Sequence, residues 1–339
     1  MDPCALLKRL IAGHDLAPDE AEELFEAFVG DRLSPPLAGA LLAALASKGE
    51  SATEILAAAR VLRRHACPVR VPDGVHAIDT CGTGGDGQPI FNVSSTVAIV
   101  AAAAGATVAK HGNRSTARPS GSAEALAALG VNIEADVPTL EACLRRCRIA
   151  FLYAVRLHPA MRHVAPVRQA LGIRTIFNLV GPLVNPAGVR RQLLGVNRPE
   201  LVPLMLEALR GLGAERALVV HGQEGLCDLS LAGPSLVGRW DGRLVRLEEV
   251  EPAAAGVPSG DLAALRVRNP QESAAVIRSV LAGQAGPARD IVVFNTAAAL
   301  WVAELAEDWR GGVRRAEEAI DSGAAAALLD EWVRVSHGA

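Results

Sequence analysis

Residues 79–87 read Asp-Thr-Cys-Gly-Thr-Gly-Gly-Asp-Gly, and the four glycines within six positions constrain the fold more than any other stretch. Glycine at this density opens left-handed backbone and lets several N–H groups converge on one anion. Ala77-Ile78-Asp79 just before it reads as a short strand, and residues 94–104 after it read as a helix whose N-terminus adds positive potential. A phosphate or pyrophosphate is the natural guest; the alternative is a glycine-rich turn with no ligand. The spacing is neither a dinucleotide fingerprint nor a Walker loop, because no Gly-Lys-Ser/Thr follows.

The chain on either side has two textures. Residues 1–66 read as helices: Leu24, Phe25 and Phe28 share a face before Gly30, a left-handed stop; Ser34-Pro35 opens the next helix, with Leu37, Leu41, Leu42 and Leu45 as its stripe; and Ser51-Ala52-Thr53-Glu54 is a capping box. Residues 67–74, rich in proline and glycine, break the pattern. Strands and helices then alternate: strands at 106–109, 217–220 and 290–295, a helix at 123–129, and a hairpin turning on Asp241-Gly242. This predicts a small helical domain followed by a larger α/β domain, with boundaries at residues 1–70 and 71–339.

Composition excludes several classes. The 339 residues carry 34 Lys+Arg against 37 Asp+Glu, a net charge of −3, and only 11 aromatics, a poor endowment for nucleic acid. The longest apolar run, residues 97–104, is far short of the roughly 18 that cross a bilayer. The first residues lack a signal-peptide pattern, so a cytoplasmic protein with free thiols is expected. The six cysteines form no zinc spacing; Cys143 and Cys147, four apart, share a helical face as small core residues.

Further polar groups follow the glycine loop. Asn92, Ser94 and Ser95 stand where the helix starts, either as caps or as ligand contacts. Lys110-His111-Gly112-Asn113-Arg114 leaves the next strand, where open α/β sheets bind ligands, and Ser120-Gly121-Ser122 opens a second helix N-terminus. His158 and His163 are open to both structural and functional readings.

These segments, with His158-Pro159-Ala160-Met161-Arg162-His163, Val167-Arg168, Arg174-Thr175-Ile176-Phe177-Asn178, Gly181-Pro182-Leu183 and Asn185-Pro186, resemble the anthranilate phosphoribosyltransferases of tryptophan biosynthesis in order and spacing. The resemblance covers essentially the whole chain. It implies a nucleoside-phosphorylase-like phosphoribosyltransferase fold, in which a helical insertion at about 158–185 joins the N-terminal domain. It also implies a Mg²⁺-dependent transfer from phosphoribosyl pyrophosphate to anthranilate, and a homodimer. Carried over by resemblance, the donor would be held by Gly82, Gly85, Asp86, Asn92, Ser94, Ser95, Lys110 and Ser122; Thr83 of the same loop and Arg118, whose own charge could answer a phosphate, join them as candidates. Anthranilate would be held by Gly82, His111, Asn113, His158, Arg168, Gly181 and Pro182, with Arg168 pairing its carboxylate. Ser94 and Asp228 would face the metal.

The chain departs from the family on the donor side. An Asp-Glu pair that holds Mg²⁺ in the family is here Cys227-Asp228, with Glu224 nearby as a possible substitute. A thiol is a poor ligand for Mg²⁺. Ile90 and Ser95 stand at positions usually threonine, and Ala117-Arg118-Pro119 where two serines and a lysine are common. The alternatives to the leading reading are a paralogue acting on another aromatic acceptor or a modified donor, and a binding protein on the same fold.

Overall fold

The computed structural model describes residues 2–115 and 118–339. Four helices come first: α1 (Pro3–Ile11), α2 (Pro18–Val29), α3 (Pro35–Lys48) and α4 (Ala52–Arg64). The Ser51–Glu54 capping box forms: Ser51 Oγ accepts the Glu54 N–H at 3.3 Å and the Glu54 carboxylate accepts the Ser51 N–H at 2.9 Å. Glu54 does more than cap. Fully buried, it also accepts the Leu16 N–H at 3.1 Å and pairs with Lys48 at 3.0 Å, tying the α1–α2 loop to α4. Ser34 stands at the start of α3 without a side-chain cap bond. Gly30 ends α2 at an ordinary φ of −87°, and the left-handed residue is Asp31, at φ 55°.

The α/β part contributes β1 (Ala77–Gly82), α5 (Val93–Ala103), β2 (Thr107–Gly112), α6 (Ser122–Ala128), α7 (Val137–Cys147) and β3 (Ile149–Tyr153). Short helices α8 (Ala154–Leu157), α9 (Ala165–Leu171) and α10 (Ile176–Val180) follow. Then come β4 (Arg191–Gly195), α11 (Leu201–Gly211), β5 (Arg216–Gly222), β6 (Ser235–Trp240), β7 (Val245–Val250), α12 (Pro270–Leu281), α13 (Pro287–Val302), α14 (Trp309–Asp321) and α15 (Ala324–Ser336). The expected hairpin forms between β6 and β7: Asp241 accepts the Arg243 and Leu244 N–H groups, and Gly242 takes φ 90°. Cys143 and Cys147 are both buried on one face of α7, as their spacing requires.

The strand expected at residues 290–295 is wrong. Ile291-Val292-Val293-Phe294 lies inside α13, and every residue from Ile291 to Val302 is buried. A helix buried on all sides has no polar face, so its apolar run cannot be told from a buried strand by periodicity.

The seven strands form one sheet, ordered β3-β2-β1-β4-β5-β6-β7, parallel from β3 to β5 and antiparallel beyond. Leu193, Leu218 and Val220 face one hydrophobic cluster with α5, α13 and α15. Leu194, Ala217 and Val219 face the other, which contains α2, α3, α4 and α11. This alternation is the strand period of two, and it makes the helical bundle's core continuous with one face of the sheet. The chain runs outward from β1 through β2 to β3 on one side and from β4 to β5 on the other, so the C-terminal ends of β1 and β4 open at a topological switch point, where open α/β sheets bind ligands. Among the described residues no helix is long and apolar enough to cross a membrane.

Candidate active site

At the switch point Gly82 is in register with Gly195, and both lack side chains for steric reasons. A Cβ on Gly195 would overlap the carbonyl of Cys227, and one on Gly82 would lie 3.1 Å from the Gly195 carbonyl oxygen. This close approach lets the Thr83 N–H bond to the Gly195 carbonyl at 2.9 Å and starts the glycine loop. Gly84, Gly85 and Gly87 then take φ values of 61°, 78° and 66°, which only glycine adopts without strain. The guanidinium of Arg174 fills the space a Cβ on Gly85 would need, and its Nη1 donates to the Gly84 carbonyl at 3.3 Å.

Lys110, near the end of β2, is 1% exposed; its ammonium donates to the Thr80 carbonyl and to Ser94 Oγ at 3.2 Å. Asp79 stands below it, accepting the His111 N–H at 3.1 Å and Asn185 Nδ2 at 2.8 Å. Burial lowers the Lys110 pKa and raises that of Asp79, and their mutual attraction opposes both shifts. Asn92 does not cap α5. Its amide crosslinks loops instead, accepting from Ser120 Oγ and Ser273 Oγ at 2.7 Å each. Ser122 Oγ donates to the Asn113 carbonyl at 3.1 Å.

Two adjoining cavities share the glycine loop and residues 111–115. The smaller cavity, about 220 Å³, is lined by Gly82, Thr83, Gly85, Asn92, Ser94, Lys110, Arg114, Arg118, Ser122, Cys227 and Asp228, among others. The larger, about 440 Å³, is lined by His111, Asn113, Arg168, Arg174, Phe177, Asn178, Gly181 and Pro182, among others. Asp86 and Ser95 are not on either lining: both side chains are fully buried behind it. His158 packs behind His111 with its ring tilted by 59°, ring centroids 5.1 Å apart. His111 Nδ1 faces the Gly181 carbonyl at 3.1 Å. Burial pushes the His111 pKa down to about 3 and that of His158 to about 4, so both rings are neutral. Arg168 Nη2 donates to Asn178 Oδ1 at 3.4 Å, and its guanidinium lies 5.7 Å from the Phe177 ring centre.

Around Cys227 and Asp228 the described side chains do not form a cation cage. Burial pushes the Cys227 thiol up to about 11, so it stays protonated, and pushes the Asp228 carboxyl up to about 6 against the pull of Arg118 and Lys110. Glu224 is exposed, accepts from Ser230 Oγ at 3.0 Å and is absent from both linings. Among the described residues no group of three His, Cys, Asp or Glu side chains is placed to hold a metal. Ala117 lies outside the described residues.

Arg114, Arg174, Phe177 and Asn178 line the cavities without having been singled out as site residues. Their signal lay in the segments 110–114 and 174–178, whose polar side chains follow a strand end and a turn. Five cationic side chains, Lys110, Arg114, Arg118, Arg168 and Arg174, thus line a double cavity with one carboxylate, Asp228, in a chain whose net charge is −3. Such a cleft concentrates a polyanion and a second, smaller anion side by side.

Comparison with known proteins agrees with this geometry. Residues 5–66 match the helical bundle domain of a glycosyl transferase family, and residues 74–326 match its α/β domain. An anthranilate phosphoribosyltransferase of Desulfatibacillum aliphaticivorans is 44% identical over 97% of both chains. The crystal structure of anthranilate phosphoribosyltransferase from Thermus thermophilus superposes with a TM-score of 0.92 at 42% identity, covering 98% of this chain and 99% of that one. The enzyme from Saccharomyces cerevisiae, solved in complex with phosphoribosyl pyrophosphate and Mg, gives a TM-score of 0.89 at 27% identity over 99% of this chain and 98% of its own. The chain belongs to the anthranilate phosphoribosyltransferase family, a group of glycosyltransferases.

Proposed function

We propose that the chain transfers the phosphoribosyl group of phosphoribosyl pyrophosphate to the amine of anthranilate and releases pyrophosphate. The observation that carries this reading is the double cavity, whose cations flank a shared wall formed by the glycine loop and residues 111–115. On this reading the smaller cavity is the donor side, where the donor's phosphates sit against the amides of Gly82 and Gly85, the side chain of Thr83, the hydroxyls of Ser94 and Ser122, and Lys110. Asn92 lies in that wall, and Asp86 and Ser95 support it from behind. Arg168 pairs with the anthranilate carboxylate through its planar fork, while Asn113, Gly181 and Pro182 hold the ring.

Holding the acceptor this way sets its amine beside C1, so a bond from nitrogen to C1 forms as the bond from C1 to pyrophosphate breaks, and the proton that the new ammonium sheds passes to the released pyrophosphate or to water. An aryl amine is neutral at pH 7 and needs no strong base. His111 serves with its neutral ring: with Nδ1–H given to the Gly181 carbonyl, Nε2 accepts a hydrogen bond from the amine and orients its lone pair. His158 keeps that ring in place and in an apolar setting, where it stays uncharged. Lys110 and the loop amides stabilise the negative charge that grows on the leaving oxygen.

Asp228 and Ser94 would offer oxygen to one Mg²⁺, and the protonated Cys227 offers none to a second, so the residues fit a single cation. Once bound, Mg²⁺ would offset charge on the departing pyrophosphate.

The helical unit of residues 1–70, joined by the segment 158–185, carries the acceptor-side Arg168. An apolar hollow of about 780 Å³ between α3 and α9, lined by Pro35, Pro36, Ala40, Ala43 and Leu171, is the face we assign to a second copy in a homodimer. Sedimentation at micromolar concentration tests it: a dimer is expected, and a monomer would contradict the assignment.

Loss of anthranilate fluorescence on mixing with phosphoribosyl pyrophosphate and Mg²⁺ tests the function. The expected result is turnover that needs all three and stops with EDTA. No loss with anthranilate, alongside turnover of another aromatic amine, would move the chain to a different acceptor.

A further inference from the structure

Where a protein-held cation would need several carboxylates, the cleft holds a guanidinium. Asp86 closes the glycine loop with a fully buried carboxylate, and every contact it makes is internal. It pairs with Arg118 through Nε and Nη2, and it accepts the N–H groups of Cys227 at 3.2 Å and Gln88 at 3.3 Å. It is therefore spent as a ligand. Cys227, beside it, presents an uncharged thiol 3.9 Å from Thr83 Oγ1. Asp228 is the one carboxylate on the lining.

Arg118 is placed differently. Its side chain is 15% exposed and lines the donor-side cavity together with Lys110 and Arg114. Its own N–H donates to Ser115 Oγ at 2.8 Å, and Pro119 after it fixes the backbone. Asp86 holds the guanidinium by its Nε and Nη2 edge. A guanidinium has five donors in a planar fork, so the Nη1 side is left for a second anion. An arginine held by a buried carboxylate at the cavity wall is pre-organised: little side-chain freedom is lost when a phosphate docks.

We infer that Arg118 is a donor-binding residue whose guanidinium, anchored by Asp86, meets the diphosphate of phosphoribosyl pyrophosphate and lets the donor bind without free Mg²⁺. The inference rests on the phosphoribosyl-transfer reading above and separates two roles for cations in this cleft. Binding charge is built into the chain, while the metal serves the bond-breaking step.

Titration calorimetry on the full chain tests this, with phosphoribosyl pyrophosphate and inorganic pyrophosphate as probes, each in EDTA and in millimolar MgCl₂. The natural protein is expected to bind both probes in EDTA with Kd within about tenfold of the Mg²⁺ value. Arg118→Met is expected to weaken binding in EDTA by about 10- to 150-fold, the loss of a charge-assisted hydrogen bond. Mg²⁺ should recover part of that loss. Arg118→Lys keeps the charge and the Asp86 pair without the fork, and should fall between. If melting shows that the methionine variant is unfolded, weakened binding by the lysine variant in EDTA supports the inference, and unchanged binding overturns it. Natural protein that binds the probes only with Mg²⁺, or a folded methionine variant that matches it in EDTA, would overturn the inference and leave the transfer reading intact. Failure of phosphoribosyl pyrophosphate to bind under either condition would overturn the reading itself.

Discussion

Acidification from pH 7 to pH 5 should destabilise this protein through the buried pair His111 and His158, and a single substitution should halve that contribution. His111 and His158 are each 5% exposed, with ring centres 5.1 Å apart. Burial holds their folded-state pKa values at about 3 and about 4, below the ordinary 6.5. As pH falls below 6.5 the unfolded chain takes up two protons that the folded chain refuses, so the unfolded state gains and stability drops with pH. The loss begins near pH 6.5 and levels off only below the folded values. At about 1.4 kcal/mol per pH unit, with the ring already slightly protonated in the unfolded chain at pH 7, each histidine costs about 2 kcal/mol by pH 5. An unfolding entropy of about 2.1 cal/mol/K per residue turns each contribution into a shift of about 3 °C for a chain of this length. Differential scanning calorimetry of the natural protein and of His158→Gln at both pH values isolates the effect. Whatever other groups titrate, the fall in Tm between pH 7 and pH 5 should be smaller in the variant by about 3 °C. Equal falls in the two proteins would refute the claim that burial keeps His158 neutral.

Other outcomes follow from the same geometry. Arg168→Ala should raise the KM for anthranilate by about 10- to 150-fold, because it removes the charged partner of the carboxylate, with little effect on the KM of the donor; a larger effect on the donor would relocate Arg168. Gly85→Ala should cut kcat/KM at least about tenfold while lowering Tm by only about 3 °C, since a left-handed alanine costs roughly 1–2 kcal/mol and the displaced group is the movable Arg174 guanidinium. Glu54→Gln should unfold the helical bundle at a temperature several degrees lower, as it weakens a buried carboxylate shared by Lys48, Leu16 and Ser51, a loss of roughly 3–5 kcal/mol. The pair Cys227→Asp with Asp228→Glu should lower the Mg²⁺ concentration needed for half-maximal turnover; no change would mean that the segment does not face the cation.

Local signals were legible in the sequence wherever the reason for a residue was local. The glycine loop announced itself because the left-handed backbone at Gly84, Gly85 and Gly87 is strained for any larger residue. The Ser51–Glu54 box and the Asp241-Gly242 hairpin likewise depend on neighbours within a few positions. What the sequence hid was pairing at a distance. Nothing in residues 86 and 118 taken separately shows that they form an ion pair across 32 positions, or that the pair leaves Asp86 with no share in the cavity wall. Nor does a capping box show that its glutamate is also a buried anchor for the α1–α2 loop and α3. The mistaken strand at 290–295 failed for another reason: α13 is enclosed on all sides, and burial erased the periodicity that would have marked it as a helix. Gly30 was a better guess by residue type than by position, since Asp31 takes the left-handed turn that glycine would adopt more cheaply.

The most direct test of transfer across the shared wall of the two cavities is stoichiometry. Pyrophosphate released and anthranilate consumed should be measured in the same reaction, with phosphoribosyl pyrophosphate limiting and Mg²⁺ present. The account predicts one pyrophosphate for each anthranilate lost, with neither appearing when the other substrate is withheld. Pyrophosphate release that continues without anthranilate would instead describe a cleft that cleaves its donor and does not join it to an acceptor, and would contradict the account.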